Sequence, residues 1–272
     1  MVVDAVIAAL ALGESCIEGV RRLACSTAAA LLIATSAPSA TWVRRILGRL
    51  ASDDGGVSFH LRLARRLVKG TAARASGAGP VFYVDNHMRK YTGKRKLRKG
   101  WKMPEKRALP GTTDYYVHDG DGRPVRRVTA PHHGSLTEFL SPIAKALRLE
   151  LGEEENILVA FDRGGSYPHQ MADLRNAGFE FVTYERKPFT LLASSSFTRT
   201  TTYRGVEFGL HEWRTNLGNG CGRVRRISLR TPEGKQVNLL AVSERPAEDL
   251  VAILRLRWNQ ENGFKHGVER GA

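Results

Sequence analysis

Asn156 to Asp162 reads NILVAFD, five apolar residues in a row closed by an acid. An unbroken apolar run of this length marks a strand buried on both faces, and so a parallel or mixed sheet covered by helices. Upstream, Pro80 to Asp85 (PVFYVD) is a second short apolar run ending in an acid. Between the two, Thr112 to His118 and Pro124 to Thr129 are rich in β-formers and flank Asp119-Gly120-Asp121-Gly122, which predicts a hairpin. Ser135 and Glu138 have the spacing of a capping box, opening a helix that carries Leu136, Phe139, Ile143, Leu147 and Leu151. Downstream, Pro168 to Ala177 reads as a helix with Gly178 just past its end, and Phe179 to Tyr184 as a strand. From Ser194 to Ser243 the text is strand-like, with turns at Gly218 to Gly222 and Pro232 to Gly234. Glu248 and Asp249 then open a last helix, where acids complement the helix N-terminus.

The first 70 residues differ. Val2, Val6 and Leu10, then Ile17, Val20 and Leu23, recur at helical intervals up to about residue 34, and Ser36 to Ser39 breaks the pattern. Two further helices are expected near Thr41 to Leu50 and Phe59 to Lys69, separated by Asp53-Asp54-Gly55-Gly56. Arg44, Arg45, Arg49, Arg62, Arg65, Arg66 and Lys69 make residues 1–70 a basic helical region suited to DNA, whether as a helix-turn-helix or as a plain basic subdomain. Residues 71–79, rich in Gly, Ala and Ser, read as a linker to a second domain at 80–272.

Charge narrows the partners. Of 272 residues, 42 are Lys or Arg and 27 Asp or Glu, a net +15, which favours a polyanion such as nucleic acid. The excess is concentrated: Arg89 to Arg107 holds ten Lys or Arg in 19 residues, with Glu105 the only acid. Arg89, Lys90, Lys94, Arg95, Lys96, Arg98 and Lys99 are therefore candidate DNA contacts, and Tyr91 and Trp101 are placed to stack on bases. No segment reaches the run of about 18 clean apolar residues that a membrane span needs. Cys16, Cys25 and Cys221 fit neither a zinc motif nor a disulfide framework, so a reducing cytoplasm is expected.

The order strand, hairpin, helix, strand, helix, strand, β-rich segment at about 190–245, helix is that of an RNase H-like mixed α/β sheet with a β insertion before its last helix. In such a sheet the first strand lies parallel to the strand after the first helix, so Asp85 and Asp162 meet at the carboxyl edge, where open α/β sheets place their sites. Gly164 and Gly165 leave room there for a ligand backbone. In the last helix, Arg257, Glu261 and Lys265 share one face at four-residue spacing, and Glu261 would be the third acid at that edge. Three clustered carboxylates need cations between them, and hard oxygen ligands suit two Mg²⁺ or Mn²⁺, the arrangement used on phosphodiesters.

These residues carry a resemblance. VFYVDNH with Asp85, LVAFDRGG with Asp162 and RWNQENGFK with Glu261, separated by 77 and 99 residues, look like the catalytic domain of DDE-class bacterial insertion-sequence transposases with a β insertion before the final Glu, over about residues 78 to 266. That family's signature around the last acid is Tyr-x2-Arg-x3-Glu-x6-Lys; Arg257 and Glu261 match, whereas Leu254 and Val268 stand at the Tyr and Lys positions. The resemblance implies that Asp85, Asp162 and Glu261 are catalytic and bind metal. It implies that Arg257 and Lys265 orient Glu261 or touch phosphate, and that the chain acts as a homodimer on paired element ends; Arg163, by its position next to Asp162, is a candidate phosphate ligand. Because the chain stops eleven residues past Glu261, a C-terminally truncated copy is expected. Two other readings stand beside this one: an RNase H-like nuclease without strand transfer, and an inactive DNA-binding remnant. Each Asp also has an ordinary local use, Asp85 capping a strand end and Asp162 closing an Asx-turn on Gly164 or Gly165.

Overall fold

The computed structural model describes residues 2–14, 16–25, 37–52, 55–74, 79–94, 96–102, 105–130, 134–152 and 156–256. They form two compact units, one ending at Leu63 and the next beginning at Ala64. In the first unit, α1 (Val2–Ala11), α2 (Val20–Ala24) and α3 (Ala40–Ser52) enclose a small core of Ala5, Ala8, Ala9, Val20, Leu23 and Val43. Glu18 pairs with Arg44, and Glu14 with Arg22. Small residues on α1 let the helices approach closely.

Helix α4 (Gly55–Arg74) runs four residues into the stretch read as linker. Two contacts explain why: Val68 is fully buried in the core of the second unit, and Thr71 donates its hydroxyl to the Leu67 carbonyl (3.1 Å) and to Asp119 (3.5 Å). Tertiary burial thus carries the helix past Gly70. Residues 75–78, the rest of that stretch, lie outside the described residues.

The second unit is a mixed α/β structure built on one ten-stranded sheet in the order β2-β3-β1-β5-β6-β10-β9-β8-β7, with β4 also on β3. The strands are β1 (Val81–Lys90), β2 (Lys99–Lys102), β3 (Arg107–His118), β4 (Pro124–Ala130), β5 (Leu158–Phe161), β6 (Glu180–Tyr184), β7 (Arg199–Tyr203), β8 (Val206–Asn216), β9 (Arg223–Arg230) and β10 (Gln236–Val242). At the centre, β1, β5 and β6 are parallel, and every residue of β5 is buried, as its apolar run demands. Strand β1 is longer than its apolar half: it continues through Asp85 to Lys90 because β3 pairs with it over that whole length. The β-rich segment is no separate layer, since β10 pairs antiparallel with β6 and extends the same sheet.

Helices cover both faces. Two of them, α5 (Leu136–Leu151) and α6 (Pro168–Asn176), pack on Phe82, Val84, Val159, Phe161 and Phe181. Ser135 and Glu138 form the capping box that starts α5. Gly178, at φ +74°, ends α6 as a left-handed residue that side chains disfavour. On the opposite face, α7 (Ala247–Leu256) packs Leu250, Val251 and Leu254 against Tyr83, Leu158, Ala160 and Val182. Its first turn is held by Glu248 pairing with Arg199.

His118, near the end of β3, is 5% exposed, and burial lowers its pKa to about 4 despite the opposing charge of Asp119. The unfolded chain therefore binds the proton that the folded chain refuses between pH about 6.5 and about 4. Stability present above pH 6.5 is lost as pH falls through that window, by roughly 2–3 kcal/mol. The slope of the thermal midpoint between pH 7 and pH 4.5 is expected to flatten in His118→Leu; an equal slope in the variant would exclude His118 as its source.

Candidate functional site

The parallel ladder pairs Val81 with Leu158, Phe82 with Val159, Tyr83 with Ala160 and Val84 with Phe161, a constant offset of 77 residues. Asp85 and Asp162 are separated by the same 77, so they stand opposite one another one step beyond the last pair, as the sequence order predicts. Asp162 keeps extended backbone there (φ −77°, ψ 164°), so the side-chain alternation carries through it. Phe82, Val84, Val159 and Phe161 face α5 and α6, whereas Tyr83, Leu158 and Ala160 face α7. Period-two alternation therefore puts both carboxylates on the α7 face, on neighbouring strands about 4.8 Å apart.

The local alternatives are realised only in part. Asp85 accepts the Asn86 N–H at 2.9 Å. At Asp162 the following turn is closed by main chain, Gly165 N–H donating to the Asp162 carbonyl at 2.9 Å, and its carboxylate makes no cap. The reading of the two glycines splits. A side chain at Gly165 would meet Phe161 at 2.9 Å and Leu140 at 3.1 Å, so that glycine serves core packing; a Cβ at Gly164 would only touch Leu136, at 3.9 Å.

Helix α7 aims at the same edge. It begins at the amino edge of the parallel strands, where Arg245 donates to the Gly79 carbonyl (3.2 Å) and pairs with Glu180 (3.4 Å). Its ten residues span about 15 Å, and at its far end the Arg255 guanidinium lies 4.1 Å from the Phe208 ring centre. Pairing places Phe208 beside the carboxyl end of the sheet, through β9 and β10. The chain therefore reaches the carboxyl edge at Leu256, five residues before Glu261. Glu261, Arg257 and Lys265 themselves lie outside the described residues.

Among the described residues, no three His, Cys, Asp or Glu come together to hold a metal ion. Two carboxylates side by side are a fitting pair of hard donors for Mg²⁺ or Mn²⁺, one short of a three-acid set.

Cations on aromatic rings border Asp162. Arg163 lies 5.9 Å from the Tyr184 ring centre, and Arg186 lies 4.1 Å from that of Tyr167 and donates to the Arg163 carbonyl at 3.4 Å. His169 sits 5.8 Å from Tyr167. Arg186 had no signal in the sequence beyond its distance from the apolar run. Of the basic stretch, Arg89 and Lys90 lie on β1, Lys94, Lys96 and Arg98 are exposed in the connection, Lys99 starts β2, and Arg95 lies outside the described residues. Lys90 is drawn toward Glu105 (3.8 Å), while Trp101 is 56% exposed.

Sequence reasoning missed one acid entirely. Asp114 on β3 has no exposed surface and accepts from Thr129 Oγ1 (2.6 Å), Arg127 Nη2 (2.9 Å) and Tyr116 OH (3.5 Å), with Arg89 Nη1 also at 3.5 Å. The available signal was a lone acid inside the β-former run TTDYYVH. Beside it, His87 is held below its ordinary pKa, first by burial and then by the Lys102 charge.

The fold and site define a mixed α/β protein with two aspartates at the carboxyl edge of its parallel strands and a strongly basic surface. No family model and no curated protein matches the chain. Among solved structures it is similar to a piggyBac transposase in a synaptic complex with hairpin DNA, at a TM-score of 0.41 and 15% identity over 68% of this chain. The chain spans 38% of the length of that one, and a likeness of this order carries no statement about chemistry.

Proposed function

We propose that this chain is a DDE-type transposase that cleaves DNA at the ends of a mobile element and joins them to a target. Asp85, Asp162 and Glu261 would hold two Mg²⁺ or Mn²⁺. The observation that carries the reading is the shared offset of 77: two acids far apart in sequence occupy adjacent positions on one face of the carboxyl edge. Two further features support it. The strand order β4-β3-β1-β5-β6, with α7 running to the same edge, is the arrangement expected of an RNase H-like domain, here extended by a β insertion. The net charge of +15 suits a phosphate polymer.

Held by Asp85, Asp162 and Glu261, metal ions would supply Lewis-acid activation of an attacking water or 3′-hydroxyl and charge stabilisation for the leaving oxygen. The residues of the chain have their own tasks. Asp85 and Asp162 are fixed by strand backbone, so their carboxylates are preorganised rather than gathered on binding. Arg163 and Arg186, braced on Tyr184 and Tyr167, would meet phosphate oxygens beside Asp162. The exposed cations Lys94, Lys96, Arg98 and Lys99 would track the DNA backbone. Among the described residues no helix is long and apolar enough to cross a membrane.

The test is a plasmid assay with Mn²⁺ in which an element-end oligonucleotide is offered together with target DNA. Joined product is expected. Nicking without joined product would favour a nuclease of the same fold, and neither product, with DNA binding retained, would favour a binding remnant.

A further inference from the structure

We infer that the sheet face running from Asp85 across β3 and β4 is a phosphate-binding shelf for the DNA duplex flanking the cut, with Arg89 and Arg127 as its contacts and Asp114 as the residue that positions them. The inference rests on the proposed function for the location of the cut, but its own claim concerns binding. Pairing lays the face out as a grid. Asp85 lies opposite Tyr116 and Tyr116 opposite Arg127; one pleat further along, His87 lies opposite Asp114 and Asp114 opposite Thr129. Arg89 follows on β1. Alternation puts all of these on the face of Asp85, since Tyr115 and Val117 point into the opposite core.

Asp114 explains why the arginines are ordered. An isolated buried carboxylate costs several kcal/mol unless charge and hydrogen bonds compensate it. Here one carboxylate with no exposed surface lies against two guanidiniums, a hydroxyl and a phenol. Asp114, Arg89 and Arg127 taken together carry one negative and two positive charges, so these three groups sum to a net positive charge. The outer parts of both side chains face solvent, Arg89 at 58% and Arg127 at 40% exposure. Arg127 also lies against the Tyr116 ring at 5.8 Å, which restricts it further. A surface arginine that only balances charge has no need of a buried anchor; a pair held by one anchor, on the same face as the two aspartates, presents fixed cations to a ligand.

Geometry sets the ligand. Arg127 stands two strands from Asp85, about 10 Å, and Arg89 four residues along the strand, about 13 Å. At 3.4 Å of rise per nucleotide, that reaches about three to four nucleotides from a phosphodiester held at the aspartates. Guanidinium forks suit phosphate oxygens, and phosphate contacts carry no sequence information, so the contact is expected to be independent of sequence.

The test is binding of the full chain to a mixed-sequence DNA duplex in EDTA, titrated over a range of salt, so that cleavage plays no part. Arg89→Gln with Arg127→Gln is expected to lower the slope of log K against log[salt] by about 2, close to one per phosphate contact. Loss of affinity should be similar on unrelated sequences. Asp114→Asn is expected to keep that slope, because both cations remain, while weakening binding a few-fold as they loosen. If the double variant melts early because Asp114 loses its partners, Asp114→Asn in the same background removes the stranded charge and takes over the measurement. A folded variant with an unchanged salt slope would overturn the inference and leave the two arginines as counter-ions of Asp114. Absence of any binding by the native chain would overturn it too. DNA cleavage by the native chain with an unchanged slope in the variant would sink the shelf alone and leave the proposed function standing.

Discussion

Asp85→Asn and Asp162→Asn are each expected to abolish DNA cleavage, by about 10³-fold or more, while leaving duplex binding within a few-fold of the native value. Both acids stand one step beyond the last pair of a parallel ladder, on one sheet face, so neither can be replaced by its neighbour. Losing one carboxylate from the set that would hold the metal ions removes about 4 kcal/mol of transition-state stabilisation, and each 1.36 kcal/mol is a factor of ten. Asn is close in shape and still accepts the Asn86 N–H, so the strand should survive and the melting temperature should move little. The check is cleavage in Mn²⁺ set beside duplex affinity measured in EDTA. Retained cleavage in both variants would remove the carboxyl edge as the site. Lost cleavage with an equally large loss of affinity would mean that the aspartates support the DNA surface rather than the chemistry.

Phe161→Ala is expected to be the most damaging of the simple core substitutions, destabilising the second unit by about 3–5 kcal/mol. Phe161 closes β5 with no exposed surface, lies 6.1 Å from Phe181 and packs beside Leu136 and Leu140 of α5. It is also the residue immediately before Asp162, so the cavity would open directly beneath the site. A loss of that size is a large part of the 5–15 kcal/mol typical of a domain. It should lower the melting midpoint by about 10 °C, at 2–4 °C per kcal/mol for a unit of this size. Thermal unfolding followed by circular dichroism reads it; a shift of only a degree or two would mean that the α5 layer collapses onto the gap. Cleavage measured well below the new midpoint should fall as well, because the strand end that holds Asp162 loses its packing on α5.

Much of the central unit was legible locally. The apolar runs of β1 and β5, the capping box at Ser135 and the Asp-Gly turn between β3 and β4 are each decided within a few residues, by burial on both faces, by orphan N–H groups, and by Gly122 at φ +80° with the Asp119 carboxylate accepting the Asp121 and Arg123 N–H groups. The spacing of the two aspartates was legible too, because a strand–helix–strand order dictates a parallel neighbour. What stayed hidden depends on chain from elsewhere. Helix α4 runs past Gly70 because Val68 and Thr71 find partners in the second unit, which no local propensity could announce. The β-rich segment reads alike whether it forms its own layer or extends a sheet, and hydrogen bonding to β6 decided for the latter.

Asp114 makes the division plain. By itself the sequence determined that a strand runs through TTDYYVH and that alternate residues share a face. It could not determine that the acid in that strand is buried, because burial of a charge is tolerable only where opposite charge and donors are supplied. Here they come from Arg89 on one neighbouring strand and from Arg127 and Thr129 on the other. Sequence fixes what each strand can present to its neighbours; only the tertiary pairing, through the energy of desolvating a charge, decides which of those groups become partners.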